Sequence, residues 1–129
     1  ETPLLAAASW GRFDLVVLLL TTAKSVAVDT GNKLGETPLL LASQEGAALV
    51  VRYLLTEGKS KAINRCAADG RTPLIAAARG GHIEVCQLLL GHGADRGARM
   101  ISTDTDGCNG TAADVAKEQG HDQVATLLP

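Results

Sequence analysis

The histidines and cysteines are the side chains of this 129-residue chain best suited to hold a metal ion or to act as nucleophiles. His82 and His121 each follow a glycine, and His92 stands near the end of an apolar run. None of them belongs to a set of ligands at the spacing of a metal site. The sequence also lacks the nucleophile-elbow, phosphate-loop and dinucleotide-binding motifs. We therefore expect no catalytic residue, no metal ligand, no cofactor and no enzymatic activity.

Two carboxylates in one polar stretch, Asp104 and Asp106, raise the question of calcium binding. A calcium loop of the EF-hand type needs a third ligand two positions further on, a glycine at its sixth position and a glutamate at its twelfth. Cys108, Asn109 and Val115 occupy those positions. We therefore interpret the stretch as a solvated loop.

The three cysteines are an odd number and do not make a disulfide scaffold. Cys86 lies inside an apolar run, which favours a small buried core residue. Cys66 and Cys108 lie in polar segments and are expected to be free thiols, which fits a reducing, intracellular setting. No apolar run approaches 18 residues and no signal-peptide pattern stands at the start, so no membrane segment is predicted.

The elements that would carry these residues follow from a repeat. Aligned on a threonine, similar segments begin at residues 2, 37, 72 and 111, with spacings of 35, 35 and 39 residues. Self-similarity at this period is typical of a solenoid, in which each repeat is one supersecondary unit. The segments read "TPLLAAASWGRFDLVVLLL", "TPLLLASQEGAALVVRYLL", "TPLIAAARGGHIEVCQLLL" and "TAADVAKEQGHDQVATLL".

Each unit carries the local signals of two short helices joined by a tight turn. The threonine can cap a first helix, and the proline that follows it in three units suits the first helical position. A second helix follows the turn, with apolar residues three and four positions apart. Its predicted packing face consists of Leu15, Leu18 and Leu19 in the first unit, Val50, Tyr53 and Leu54 in the second, Val85, Leu88 and Leu89 in the third, and Val124, Leu127 and Leu128 in the fourth.

Two small residues recur inside every unit. An alanine five residues after the threonine suggests a close approach of two helices, and a glycine nine residues after it tolerates the left-handed conformation that ends a helix. Helices of two to three turns do not persist alone in water, so stacking on a neighbouring unit must supply their burial. The residues are Ala7, Ala42, Ala77 and Ala116, and Gly11, Gly46, Gly81 and Gly120.

The third unit, "DGRTPLIAAARGGHIEVCQLLLGHGAD", resembles the ankyrin repeat, whose signature is T-P-L-H-x-A. The resemblance implies an all-α ankyrin-repeat solenoid of about four helix–turn–helix units with protruding β-hairpin or loop fingers. We expect one domain over residues 1–129, with repeats at about 2–36, 37–71, 72–110 and 111–129. The signature histidine is replaced by Leu5, Leu40, Ile75 and Asp114, so three units should be more apolar inside.

The outer units and the third connector differ from the rest. The first unit is as apolar as an internal one, so we expect the chain to be a fragment of a longer protein. The fourth unit carries Lys117, Glu118 and Asp122, as a solvent-facing end would. The third connector is the longest, and we expect an exposed, mobile loop near residues 100–109.

The resemblance implies a module for protein–protein recognition, which binds a partner protein or peptide on the concave surface formed by fingers and first helices. A structural spacer, or a regulatory module beside a catalytic domain absent from this chain, are the alternatives. The family's partner-facing positions correspond here to Ser9, Trp10, Lys33, Leu34, Glu36, Gln44, Glu45, Asp69, Arg71, Arg79, Glu118 and Gln119.

Charge gives a further indication about the partner. Residues 52–99 contain eight basic and four acidic side chains, although the whole chain has a net charge of −2. This distribution is either an ordinary solvated surface or a basic patch around Arg65, Arg71 and Arg79 that steers an acidic segment of a partner. The net charge and an aromatic content of 2% disfavour nucleic acid. We expect the chain to act as a monomer.

Overall fold

The computed structural model describes residues 3–22, 28–57, 60–68, 70–99 and 110–128. The predicted mobile loop at residues 100–109 lies outside these ranges. Within them, eight helices form four pairs, and none is long and apolar enough to cross a bilayer. The pairs are α1 (Pro3–Ser9) with α2 (Phe13–Thr22), α3 (Pro38–Glu45) with α4 (Ala48–Thr56), α5 (Pro73–Gly80) with α6 (Ile83–Gly91), and α7 (Ala112–Glu118) with α8 (Asp122–Leu127).

The first helix of each unit begins where the sequence predicts. Thr37, Thr72 and Thr111 have extended backbones, and the hydroxyl oxygen of each accepts a hydrogen bond from a main-chain amide in the first turn. Such a bond satisfies one of the amides that a helix start leaves without a partner. The donors are the amides of Leu40, Ile75 and Asp114, at 3.2, 3.3 and 3.4 Å.

The turn between the two helices depends on glycine in every unit. All four glycines have positive φ, a conformation that side-chain-bearing residues seldom adopt. At Gly46 and Gly81 the main-chain amide donates to carbonyls of the last turn, so the glycine closes the first helix as well as reversing the chain. The φ angles of Gly11, Gly46, Gly81 and Gly120 are 65°, 74°, 72° and 77°.

The helices form two layers. The first helices α1, α3, α5 and α7 pack side by side, and the second helices α2, α4, α6 and α8 form a second row against them. One cluster of buried side chains runs from Leu4 to Leu128 and includes the recurrent alanines, which are at most 4% exposed. Leu5, Leu40 and Ile75, which replace the signature histidine, are also buried. The all-α solenoid is thereby confirmed.

The packing face of the second helices matches the prediction except in the first unit. Val50, Val85 and Val124 are each 1% exposed, whereas Leu15 at the equivalent position is 39% exposed. Leu18, also predicted to pack, is 54% exposed, and Val16 is the one residue of α2 that is fully buried. The reason is geometric. In the second, third and fourth units this face of the helix pair packs against the preceding unit. In the first unit no preceding unit is among the described residues, so the same face is exposed.

The connectors that the structure describes are turns rather than strands. In the first, Asn32 accepts hydrogen bonds from the amides of Leu34 and Glu36 through its side-chain oxygen, both at 3.0 Å. Neighbouring connectors contact each other, since the Ala68 amide donates to the Leu34 carbonyl at 2.8 Å. The fingers are thus loops held by side-chain and main-chain hydrogen bonds.

The fourth unit has a capping arrangement of its own. Thr111 caps α7, and its amide and hydroxyl both donate to the carboxylate of Asp114 at 3.2 Å. The main-chain hydrogen bond from Thr111, followed by the bond from its hydroxyl, lowers the pKa of the Asp114 carboxyl below its ordinary value of 3.8. The ionised carboxylate therefore stabilises the folded state.

A pH dependence follows from this cap. Because the pKa is lowered on folding, the stabilisation is fully present above the unfolded value and is lost as the pH falls through the folded value. We expect Asp114→Ala to lower the Tm at about pH 7 and to lower it by less at about pH 2, because the carboxyl is increasingly protonated as the pH falls. Thermal unfolding of the two proteins at both pH values measures this. An equal loss of Tm at the two pH values would contradict the role of the carboxylate.

Candidate functional site

The two residues before each turn glycine form a set that recurs in all four units, and most of its side chains are exposed. Each pair ends a first helix or begins the turn after it, and the first helices lie side by side, so the pairs form a row across the units. Trp10 is 81% exposed, and Arg79 is half-buried. We call this set the helix-end row: Ser9 and Trp10, Gln44 and Glu45, Arg79 and Gly80, Glu118 and Gln119.

A cleft of about 380 Å³ opens in the middle of the helix-end row. It joins the second, third and fourth units, because Gln44, Arg79 and Gln119 all line it. Ala76 forms part of its wall, and Arg71 borders it from the connector that precedes α5. The structure thus brings four of the sequence-predicted site residues to one opening.

Arg71 is engaged within the chain. Its Nη2 lies 2.6 Å from Glu36 Oε2, and its Nη1 donates to Gln44 Oε1 at 2.6 Å. The side chains of Arg71 and Glu36 are 13% and 14% exposed. The charge of Arg71 is therefore offset by Glu36, and its guanidinium joins the connector of one unit to the first helix of another.

Glu36, which pairs with Arg71, also helps to order the tip of the first connector. Asn32 donates to Glu36 Oε1 at 2.9 Å, while its own oxygen accepts the two main-chain amides of the turn. This Asx-type turn fixes the backbone at Lys33 and Leu34. Both side chains are exposed, and Leu34 is 60% exposed. The exposed side chains of Lys33 and Leu34 are therefore carried by an ordered turn.

Two family models match the sequence. The model for the ankyrin repeat matches residues 69–101, and the model for ankyrin repeats in three copies matches residues 1–65. The chain belongs to the ankyrin repeat family. No curated protein matches the chain significantly. Ankyrin repeats are in general protein–protein interaction modules, typically without catalytic activity of their own.

The histidines of the inter-helix turns connect adjacent ankyrin units. The Nε2 of His82 lies 3.0 Å from the carbonyl oxygen of Gln44, at the end of the preceding first helix. The ring also covers Gly46, where a Cβ atom would collide with it, and the His121 ring covers Gly81 in the same way. The position of His82 and His121 after a glycine did not indicate that they reach back to the unit before.

The remaining predicted site residues do not line the cleft. Trp10 borders a separate groove on the first unit. Lys33, Glu45 and Glu118 are exposed at the fingertip and at helix ends. Asp69 lies outside the described residues.

In the part of the chain that the structure describes, no three histidine, cysteine or carboxylate side chains lie close enough to share a metal ion. Burial raises the pKa of the Cys86 thiol to about 11, so this cysteine stays protonated and unreactive at neutral pH. Cys66 is exposed and free.

Cys66 and Cys86 should therefore differ in their reactivity toward alkylating reagents. We expect iodoacetamide to alkylate Cys66 in the folded protein, while Cys86 reacts only after unfolding, because the reagent attacks the thiolate and must reach it. Peptide mass spectrometry after a short labelling time distinguishes the sites. Labelling of the two at similar rates without denaturant would show that α6 does not pack as described.

Proposed function

We propose that the chain is a protein-recognition module that binds a partner protein or peptide along its helix-end row and fingertips. One observation carries the proposal: residues of four successive units are presented in a single row, with a cleft that joins three of the units. The helices beneath the row are fixed by a continuous buried core, so the row is pre-organised for binding. Pre-organisation lowers the entropic cost of holding an extended segment.

We infer that the four units act as one domain over residues 1–129. This inference is supported by the buried cluster, because a single cluster contains residues of all four units. A partner segment can therefore contact several units without separating them. We assign no catalytic step to the chain, because the cleft contains amides and guanidinium groups rather than a nucleophile paired with a base.

The side chains of the row define the partner that fits. Trp10 supplies a large apolar face, and residues of this type often dominate interface energetics. Arg79 lines the cleft together with Gln44 and Gln119, whose side-chain amides can both donate and accept hydrogen bonds. The partner we propose is a segment with an apolar anchor for Trp10 and an acidic side chain for Arg79.

The test begins with peptides selected from a displayed random library against the intact chain. We expect the selected peptides to lose at least about 2 kcal/mol of binding free energy, or about 30-fold in Kd, in the Trp10→Ala, Arg79→Ala double variant. Isothermal titration calorimetry measures the loss, and circular dichroism checks that helicity is retained.

Leu49→Ala provides the matched control, since Leu49 is a large exposed apolar residue of the second-helix layer, outside the row. We expect its affinity for the same peptides to equal that of the parent chain. Full affinity in the double variant would mean that the row is not the binding site. A failure to select any specific peptide would favour the spacer function.

A further inference from the structure

Two arginine side chains line the cleft in the helix-end row, which is an arrangement that could bind a phosphate group. Arg71 and Arg79 both reach it, and guanidinium groups hold phosphates and carboxylates alike through paired hydrogen bonds. The volume of about 380 Å³ admits either group, so size does not decide between them. The preference of the cleft therefore depends on the charge that the arginines offer to a ligand.

Glu36 offsets the charge of Arg71. Glu36 Oε2 lies 2.6 Å from Arg71 Nη2, and both side chains are largely buried, so salt screens the pair little. A phosphate carries about 1.5 to 2 negative charges at neutral pH, whereas the carboxylate of an aspartate or glutamate carries one. The second charge of a phosphate in the cleft would be repelled by Glu36 instead of being neutralised by Arg71.

Arg71 also orients a second hydrogen-bond donor of the cleft. Its Nη1 donates to Gln44 Oε1 at 2.6 Å, and a guanidinium has no acceptor, so the oxygen and not the nitrogen of the Gln44 amide must face it. The NH2 group of Gln44 is then directed away from Arg71 and can donate to a ligand. Because Gln44 and Arg79 line the same cleft, the two oxygens of a carboxylate can accept from both.

We propose that the cleft takes the single carboxylate of an aspartate or glutamate side chain and discriminates against a phosphorylated residue, and that Glu36 sets this preference. The carboxylate accepts from Arg79 and from the NH2 group of Gln44, while its methylene stem lies against Ala76. Glu36 does not contact the ligand and acts through Arg71, so it is a positioning residue. The inference rests on the proposed function, because it specifies the acidic partner group of the same surface.

The test uses peptides selected against the intact chain and synthesised with an amidated C-terminus, so that only a side chain supplies the carboxylate. In each peptide the acidic residue is replaced by phosphoserine, or by cysteic acid, whose sulfonate is tetrahedral like a phosphate but carries one charge. We expect the parent chain to bind the phosphoserine peptide at least about tenfold more weakly than the carboxylate peptide, and the cysteic acid peptide within about threefold of it, in calorimetric titrations.

The variant Glu36→Gln tests the residue that sets the preference, since it keeps the length of the side chain but removes the charge that offsets Arg71. We expect it to bind the phosphoserine peptide at least about tenfold more tightly than the parent chain does, and the carboxylate peptide within about threefold. A purely structural role of Glu36 would instead weaken the binding of all peptides together. Glu84→Gln is the matched control, because Glu84 is an exposed glutamate of α6 outside the row, and it should leave the ratio of the Kd values unchanged.

Equal affinity of the parent chain for the phosphoserine and carboxylate peptides, or equal rejection of the cysteic acid and phosphoserine peptides, would overturn the proposal. So would a ratio of Kd values that Glu36→Gln leaves unchanged, or selected peptides that lose affinity in the Trp10→Ala, Arg79→Ala double variant but contain no acidic residue. The proposed function survives each of these results. It fails if the double variant keeps full affinity, and the carboxylate preference of the cleft then fails with it.

Discussion

Replacing Leu54 by alanine is expected to lower the free energy of unfolding by about 2–5 kcal/mol. Leu54 lies in α4 with no exposed surface, inside the cluster that spans the units. The loss has two parts: the transfer free energy of the removed methyl and methine groups, and the dispersion energy that the side chains lining the remaining cavity no longer gain. Urea denaturation followed by circular dichroism measures it.

The control for Leu54→Ala is a leucine-to-alanine substitution at an exposed position. Leu18→Ala removes equivalent atoms from α2, where the side chain is 54% exposed, and should cost about 1 kcal/mol or less. The two variants remove the same atoms from a buried and from an exposed leucine, so the difference between their losses of stability measures the effect of burial. Equal losses of stability at the two positions would contradict the burial described for α2 and α4.

The second large effect is expected at the ion pair of Arg71 and Glu36. Glu36→Ala removes the carboxylate from a guanidinium that is largely buried, and an uncompensated buried charge costs about 3–5 kcal/mol. Because both side chains are about one-seventh exposed and Gln44 remains as an acceptor, we expect a smaller loss of about 2–3 kcal/mol. Chemical denaturation at about pH 7 measures the loss.

A double-mutant cycle isolates the pair. Arg71→Met keeps much of the alkyl stem, and the double variant should recover part of the stability lost in Glu36→Ala, since no unpaired charge then remains. The neighbouring Glu45→Ala is the matched control, because Glu45 is an exposed glutamate at the end of α3. Its effect should lie within about 0.5 kcal/mol. Strictly additive losses in the cycle would show that Arg71 and Glu36 do not stabilise each other.

The fold could be predicted from the sequence because its signals are local. A threonine followed by proline starts a helix, and a glycine nine residues later ends it, whatever the rest of the chain does. The structure shows the expected features: Thr37 and Thr72 cap their helices, and Gly46 and Gly81 have positive φ angles. Repetition at a fixed period then determined how the units stack.

The candidate site was only partly predictable, because its contacts join residues far apart in the sequence. The sequence allows Arg71 to be either a solvated surface residue or part of a basic patch for an acidic partner, and the structure shows its guanidinium hydrogen-bonded to Glu36 and Gln44. Helical periodicity placed Leu15 on an apolar face, but periodicity does not report whether a neighbour covers that face. Asp69, another predicted site residue, lies outside the described residues, so its role stays a prediction.

The two-layer arrangement also bears on how the chain folds. The principal helix contacts link helices of the same unit or of adjacent units, so most native contacts close short stretches of chain. Proteins of such low contact order fold quickly, because little loop entropy is lost before contacts form. The second and third units each have neighbours on both sides, which favours a folding nucleus there and growth outward. The helix α8 has six residues and is the shortest of the described helices, so it is expected to open more readily than the longer helices of the second and third units.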